Sequence, residues 1–120
     1  MATGREVTIR LPYPPSVNGY WIRTRFGMAV GARGKKYRGD TAAAWMSQGA
    51  PVIGSRRLIV AIEIYPPNQQ RRDLDNICKA LLDALTACGL WADDEQIDEL
   101  RLIRRGVLPP GQVIVRVQCL

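Results

Sequence analysis

Between residues 58 and 89 the chain switches once from the period of a strand to that of a helix. That switch constrains its fold more than any other feature. Residues 58–65 set Ile62 and Ile64 against Glu63, the alternation of a strand with one buried face. Pro66-Pro67 closes the run, because proline cannot donate to a sheet ladder. Residues 73–88 then place Leu74, Ile77, Cys78, Leu81, Leu85 and Cys88 on one helical face. Asp73 stands where an N-cap belongs, and Gly89 where a left-handed C-terminal residue belongs.

The flanking segments fit the same architecture. Residues 6–11 alternate polar and apolar, and 12–16 (Pro-Tyr-Pro-Pro-Ser) end that strand. Residues 20–30 read as a short hairpin with Gly27 near its turn. Tyr37, Thr41, Ala44, Trp45 and Gln48 follow helical spacing over 35–48, before Gly49 and Pro51. Residues 97–104 and 112–118 read as two further strands, joined through Gly106, Pro109-Pro110 and Gly111. The expectation is an α+β fold: a mixed β-sheet with two main helices packed on it. No repeat, low-complexity tract or long linker divides the chain, so 1–120 is expected to form a single small domain.

Composition removes whole classes of chemistry. The chain has no histidine, which excludes Ser-His-Asp and Cys-His catalysis and most zinc sites. Its three cysteines, Cys78, Cys88 and Cys119, form no C-x-x-C pair and read as small buried hydrophobes in a reducing compartment. No apolar run is long enough to span a bilayer, and the N-terminal residues lack a secretory apolar core. A cytoplasmic protein that engages no membrane is expected.

Charge is segregated along the chain. Residues 73–99 carry eight acids and one base, for a net −7, whereas the remainder carries sixteen bases and three acids, for a net +13. Fourteen of the seventeen bases are arginine, the side chain that grips phosphate bidentately. An acidic island in an arginine-rich shell suits a metal-dependent enzyme acting on a polyanion, although an acidic solvated face on a basic protein would give the same count.

The island has internal order. Arg71-Arg72-Asp73-Leu74-Asp75-Asn76 lies between strand and helix, where two carboxylates can project past the chain end while Leu74 points inward. Capping and the helix dipole alone would justify both acids, at about 0.3–1 kcal/mol each. Lys79 follows Asp75 by one helical turn and Asp83 follows by another. Its simplest role is an i,i+4 ion pair worth about 0.3–0.5 kcal/mol, and its functional role is a cation beside substrate phosphate. Asp93 and Asp94 come from the loop after Gly89. Three or four carboxylates without imidazole or thiolate suit a hard octahedral ion, Mg²⁺ or its substitute Mn²⁺.

The run Arg71-Arg72-Asp73-Leu74-Asp75-Asn76-x-x-Lys79 continues into Asp83-Ala84-Leu85-Thr86-x-x-Gly89-x-Trp91-x-Asp93-Asp94. With Leu11-Pro12-Tyr13-Pro14-Pro15-Ser16-x-Asn18, it resembles the RusA family of Holliday-junction resolvases over almost the whole chain. The resemblance implies a homodimeric, Mg²⁺-dependent endonuclease without an organic cofactor. Such an enzyme nicks two opposing strands of four-way junction DNA in recombination and repair. It assigns catalysis to Asp73, Asp75, Asp94 and Lys79. The metal falls to the three aspartates with Asp93 as a further candidate, and DNA contact to Arg71, Arg72, Asn76 and Asn18. It also implies a bacterial or phage-derived origin. One departure is Gln69-Gln70, where relatives can carry a longer basic run; this bears on junction affinity rather than chemistry. Two-fold symmetry is the simplest way to cut two equivalent strands, and Trp21, Trp45 and Trp91 are candidates for the interface or the core. The alternatives are a nuclease for flaps or other branched DNA, and a non-catalytic nucleic-acid-binding module with a structural acidic cluster.

Overall fold

A computed structural model describes residues 5–120. The first four residues, part of the N-terminal segment considered above, lie outside them. Strand β1 (Glu6–Pro12) leads to a one-turn helix α1 (Val17–Tyr20), a hairpin of β2 (Trp21–Thr24) and β3 (Gly27–Val30), and helix α2 (Ala32–Ser47). Strand β4 (Leu58–Tyr65), helix α3 (Cys78–Cys88), β5 (Ile97–Arg104) and β6 (Gln112–Cys119) complete the order.

The main sheet runs β1-β6-β4-β5, with β4 and β5 parallel and the other pairs antiparallel. It is the expected mixed α+β arrangement. Parallel pairing of β4 and β5 requires a crossover, and α3 supplies it. Alternation then builds the core: Val7, Ile9 and Leu11 of β1, Val60 and Ile62 of β4, and Val113, Val115 and Val117 of β6 are buried on the inner face. Ala80, Leu81, Ala84 and Leu85 of α3 are fully buried against them. The edge of β1 is not left open. The Gln48 side chain accepts from Arg10 N at 2.8 Å and donates to Arg10 O at 2.6 Å, so the C-cap of α2 covers the edge at Arg10.

Helix boundaries differ from expectation in two places. Helix α2 begins at Ala32 rather than near residue 35, with Gly31 in extended conformation at its N-cap. Gly34 makes that first turn possible. A Cβ there would lie 2.5 Å from the Tyr20 carbonyl oxygen, so only glycine lets α2 approach the hairpin root. The expected helix from Asp73 opens instead as a 3₁₀ turn over Leu74–Ile77 before α3 begins at Cys78. Residues three apart eclipse in a 3₁₀ turn, so Leu74 and Ile77 stack inward while Asp75 and Asn76 stay exposed. Gly89 ends α3 at φ 100°, the left-handed stop.

Candidate active site

The loop after β4 is folded by its own polar groups. Asn68 Oδ1 accepts from Gln70 N at 3.0 Å, and Arg72 donates to the carbonyls of Asn68 and Gln70 at 3.3 and 3.2 Å. The Arg72 guanidinium stands 5.8 Å from the Tyr13 ring, and Arg104 donates to Arg72 O at 2.8 Å. Arg72 therefore builds the loop as well as charging it, whereas Arg71 is exposed. Burial pushes the Tyr13 phenol up, against the opposing charges of Arg72 and Arg104. Arg33 from α2, Arg71, Arg72, Asp73 and Asn76 share an open groove of about 730 Å³. Arg33 is not among the residues singled out from the sequence, because nothing in its local spacing marks it.

Asp73 occupies the N-cap position with extended backbone, but its carboxylate makes no capping hydrogen bond. Only its carbonyl serves the turn, accepting from Asn76 N at 3.3 Å. Simple capping therefore does not explain the side chain. Asp75 lies in the first turn and is exposed.

Asp93 and Asp94 divide in role. Asp93 caps the short 3₁₀ turn Asp94–Gln96 by accepting from Glu95 N at 2.9 Å. Buried Gln96 answers it, accepting from Ala92 N and Asp93 N at 3.0 and 2.9 Å and donating to Gly54 O and Arg56 O. Trp91, buried and donating to Thr86 Oγ1 at 2.7 Å, anchors the loop from the other side. Asp94 is left facing like charge. Partial burial raises its pKa first, followed by a hydrogen bond with Asp93 and repulsion from Asp93 and Asp83. Burial also pushes the Cys78 thiol up, and the charges of Asp75 and Asp94 both reinforce the shift. The two acids, 19 positions apart in sequence, thus act on one thiol.

Lys79 departs from its simplest role. Among the described residues it forms no ion pair with Asp75 or Asp83. Its ammonium stands 5.2 Å from the centroid of the Trp21 ring. Asp83 is instead held by Arg38, whose Nη2 donates to it at 2.7 Å, and by the Tyr20 hydroxyl. Burial first, and then the Asp83 carboxylate, push the Tyr20 phenol up to about 12, so it remains a donor at neutral pH. The Tyr20 and Trp21 rings meet at 4.2 Å. Nothing local in the sequence signals this network of α1, α2 and α3, because Arg38 and Asp83 lie 45 positions apart. Asn18 is exposed on α1, beyond the Ser16 cap that accepts from Gly19 N. Of the tryptophans, Trp91 is core, Trp45 donates to Pro51 O at 2.8 Å, and Trp21 serves the Lys79 side of the site.

Carboxylate oxygens without imidazole are the donor chemistry a hard divalent ion takes. Among the described residues, no three His, Cys, Asp or Glu side chains stand close enough together to hold an ion as the side chains are placed.

The chain is similar to known endodeoxyribonucleases. The sequence profile of endodeoxyribonuclease RusA matches residues 12–118. The crossover junction endodeoxyribonuclease of Enterobacteria phage HK97 is 38% identical over 112 residues, spanning 93% of each chain. The enzyme of the same name from Escherichia coli K12 is 36% identical over 106 residues, 88% of each chain. That of Enterobacteria phage 82 is 35% identical over 105 residues, again 88% of each. The chain belongs to the RusA family of endodeoxyribonucleases.

Proposed function

We propose that this protein resolves four-way DNA junctions, hydrolysing one phosphodiester on each of two opposing strands as a homodimer that requires Mg²⁺. The observation that carries the reading is Lys79, an ammonium one turn from Asp75 that is spent on no carboxylate among the described residues. Such a cation is available to phosphate. The names of the relatives, crossover junction endodeoxyribonucleases, support the substrate. Among the described residues no helix is long and apolar enough to cross a membrane. On this reading the protein works on DNA in the bacterial cytoplasm, whether the gene is bacterial or phage-derived.

In this mechanism Asp73, Asp75 and Asp94 are the residues that would hold Mg²⁺, with Mn²⁺ as a substitute; their carboxylates would have to converge from the placement described above, and no organic cofactor takes part. When bound, the ion would supply positive charge to a phosphoryl oxygen and make a water more acidic. Asp93 keeps one oxygen on the Glu95 amide, so its part is to place Asp94. Arg33, Arg71 and Arg72 neutralise backbone phosphates at the groove, and Arg72 also supports the loop beneath them. Asn76 and Asn18 offer amide donors to phosphate or sugar oxygens. Lys79 meets the charge that develops on the phosphoryl group or the leaving oxygen, a contribution worth about 3–4 kcal/mol when such a donor is well placed.

End-labelled junctions test this directly. Each of the four strands is labelled in turn and the product lengths are mapped. Nicks at symmetric positions on two opposing strands are expected. Nicks on one strand only, or at a flap end, favour a nuclease for other branched DNA, and absence of cutting favours a binding module.

A further inference from the structure

The hairpin of β2 and β3 carries side chains that no part of this mechanism uses. Phe26 at its tip is 92% exposed, the most exposed large hydrophobic side chain among the described residues. Burying a side chain of this size is worth about 1.5–3 kcal/mol, so full exposure forfeits stabilisation that a core position would give. The tip is also held in place. Thr24 Oγ1 donates to Gly27 O at 2.7 Å and accepts from Phe26 N at 3.2 Å, and Gly27 turns the chain at φ 111°. The Arg25 guanidinium lies 5.5 Å from the Phe26 ring.

The root of the hairpin lies in the candidate site. Trp21, whose ring faces Lys79, pairs with Val30, and Gly31 N donates to Tyr20 O at 2.9 Å to close the base. Cross-strand partners share a face, as do residues two apart. Arg23 and Met28, opposite each other, therefore extend the face of Trp21 toward the tip. The three rises from Trp21 to Thr24 carry that strip roughly 10 Å outward from the hairpin root.

Charge selects the occupant. Residues 7–39 hold seven basic side chains and no acid. Two such hairpins packed together would confront Arg23 and Arg25 with their own copies and no local counter-charge. A polyanion removes that repulsion. The tip, however, is a hydrocarbon ring, for which phosphate has no use. Base faces are apolar, closed to protein in a continuous duplex, and accessible where stacking is interrupted.

Resting on the junction reading above, we propose that the β2–β3 hairpin is a DNA-probing finger. Arg23 and Arg25 grip the phosphates beside the branch point and Phe26 stacks on a base unstacked there, so that the finger supplies preference for branched over linear DNA. The affinity of wild type, Phe26→Ala and Phe26→Trp is measured for a four-way junction and for a duplex of the same sequence, without divalent metal so that no strand is cut. Oligomeric state is measured alongside by sedimentation. Base–aromatic stacking is large enough that Phe26→Ala is expected to weaken junction binding about 10-fold or more. Duplex binding should stay within about twofold, and tryptophan should restore the junction affinity. Equal losses on junction and duplex, or a dimer that dissociates in Phe26→Ala, would overturn the proposal, the latter in favour of a second copy of the chain. Unchanged junction preference in Phe26→Ala overturns the finger alone. A wild-type protein with no preference for the junction overturns the junction reading and the finger with it.

Discussion

Lys79 and Trp21 form a cation–ring pair, with the ammonium 5.2 Å from the ring centroid. Helix α3 and the hairpin root thus meet at the residue for which structural and catalytic roles diverge most. A cation–π contact by an exposed ammonium stabilises by about 0.5–1 kcal/mol, so Lys79→Ala is expected to lower the unfolding free energy by no more than that. Cleavage should fall roughly 10²–10³-fold with junction binding retained. Arginine should recover part of the rate, because its planar fork cannot take the place of a compact ammonium. Single-turnover cleavage together with denaturant titration checks both, and a Lys79→Ala enzyme cutting at the wild-type rate refutes the catalytic role.

The aspartates are expected to separate into two groups. Asp73→Asn, Asp75→Asn and Asp94→Asn should abolish cleavage while keeping or tightening junction affinity, since each would remove a proposed metal ligand and a charge that repels phosphate. Asp93 acts as a cap, and asparagine caps as well as aspartate. Asp93→Asn should therefore retain most activity, whereas Asp93→Ala should cost about 1 kcal/mol of stability. Loss of cleavage in Asp93→Asn equal to that in Asp94→Asn would contradict this division.

How far the sequence reveals this arrangement varies with the range of the interaction. Residues 58–65 and 97–104 emerge as strands with the limits seen in β4 and β5, because alternation and proline are local signals. The acids at 73, 75 and 94 stand out through spacing and family resemblance. The partners of Asp83 and Lys79 do not. An i,i+4 spacing favours Lys79 with Asp75 or Asp83, yet Lys79 stands beside the Trp21 ring and Asp83 binds Tyr20 and Arg38, all from other elements. The start of α2 is hidden for the same reason. Two glycines in its first turn and cap argue locally against a helix, whereas tertiary packing at Tyr20 requires one of them.

Affinity should depend steeply on salt. Removing one phosphate-binding arginine is expected to flatten the slope of log K against log salt by about one unit. Arg71→Ala should do only that, because the exposed side chain has no structural partner among the described residues. Arg72→Ala should in addition loosen the loop whose carbonyls it binds. Binding isotherms at several salt concentrations, with amide exchange of residues 68–73, separate the two; identical behaviour of the variants would count against the distinction.

Acid stability should pass through Glu63. This buried carboxylate accepts from Arg116 Nε at 2.8 Å and Arg105 Nε at 2.9 Å, and these bonds hold its pKa below the usual glutamate range. A depressed pKa contributes stability above the unfolded-state value, about 4.3, and that stability is lost as pH falls through the folded value. The melting temperature of the wild type should therefore drop below about pH 4.3. Glu63→Gln should be less stable at neutral pH and show a shallower acid loss. Parallel wild-type and Glu63→Gln curves would refute this role of Glu63.

That an arginine-bearing groove presents branched DNA to a carboxylate-held Mg²⁺ is tested most directly by single-turnover cleavage. The substrates are a synthetic four-way junction, a flap and a linear duplex, each with Mg²⁺, with Ca²⁺ and with EDTA. Paired cutting of the junction is expected with Mg²⁺, binding without cutting in Ca²⁺ or EDTA, and an intact duplex throughout. Equal cutting of the junction in EDTA and in Mg²⁺, or of the duplex and the junction in Mg²⁺, would contradict it.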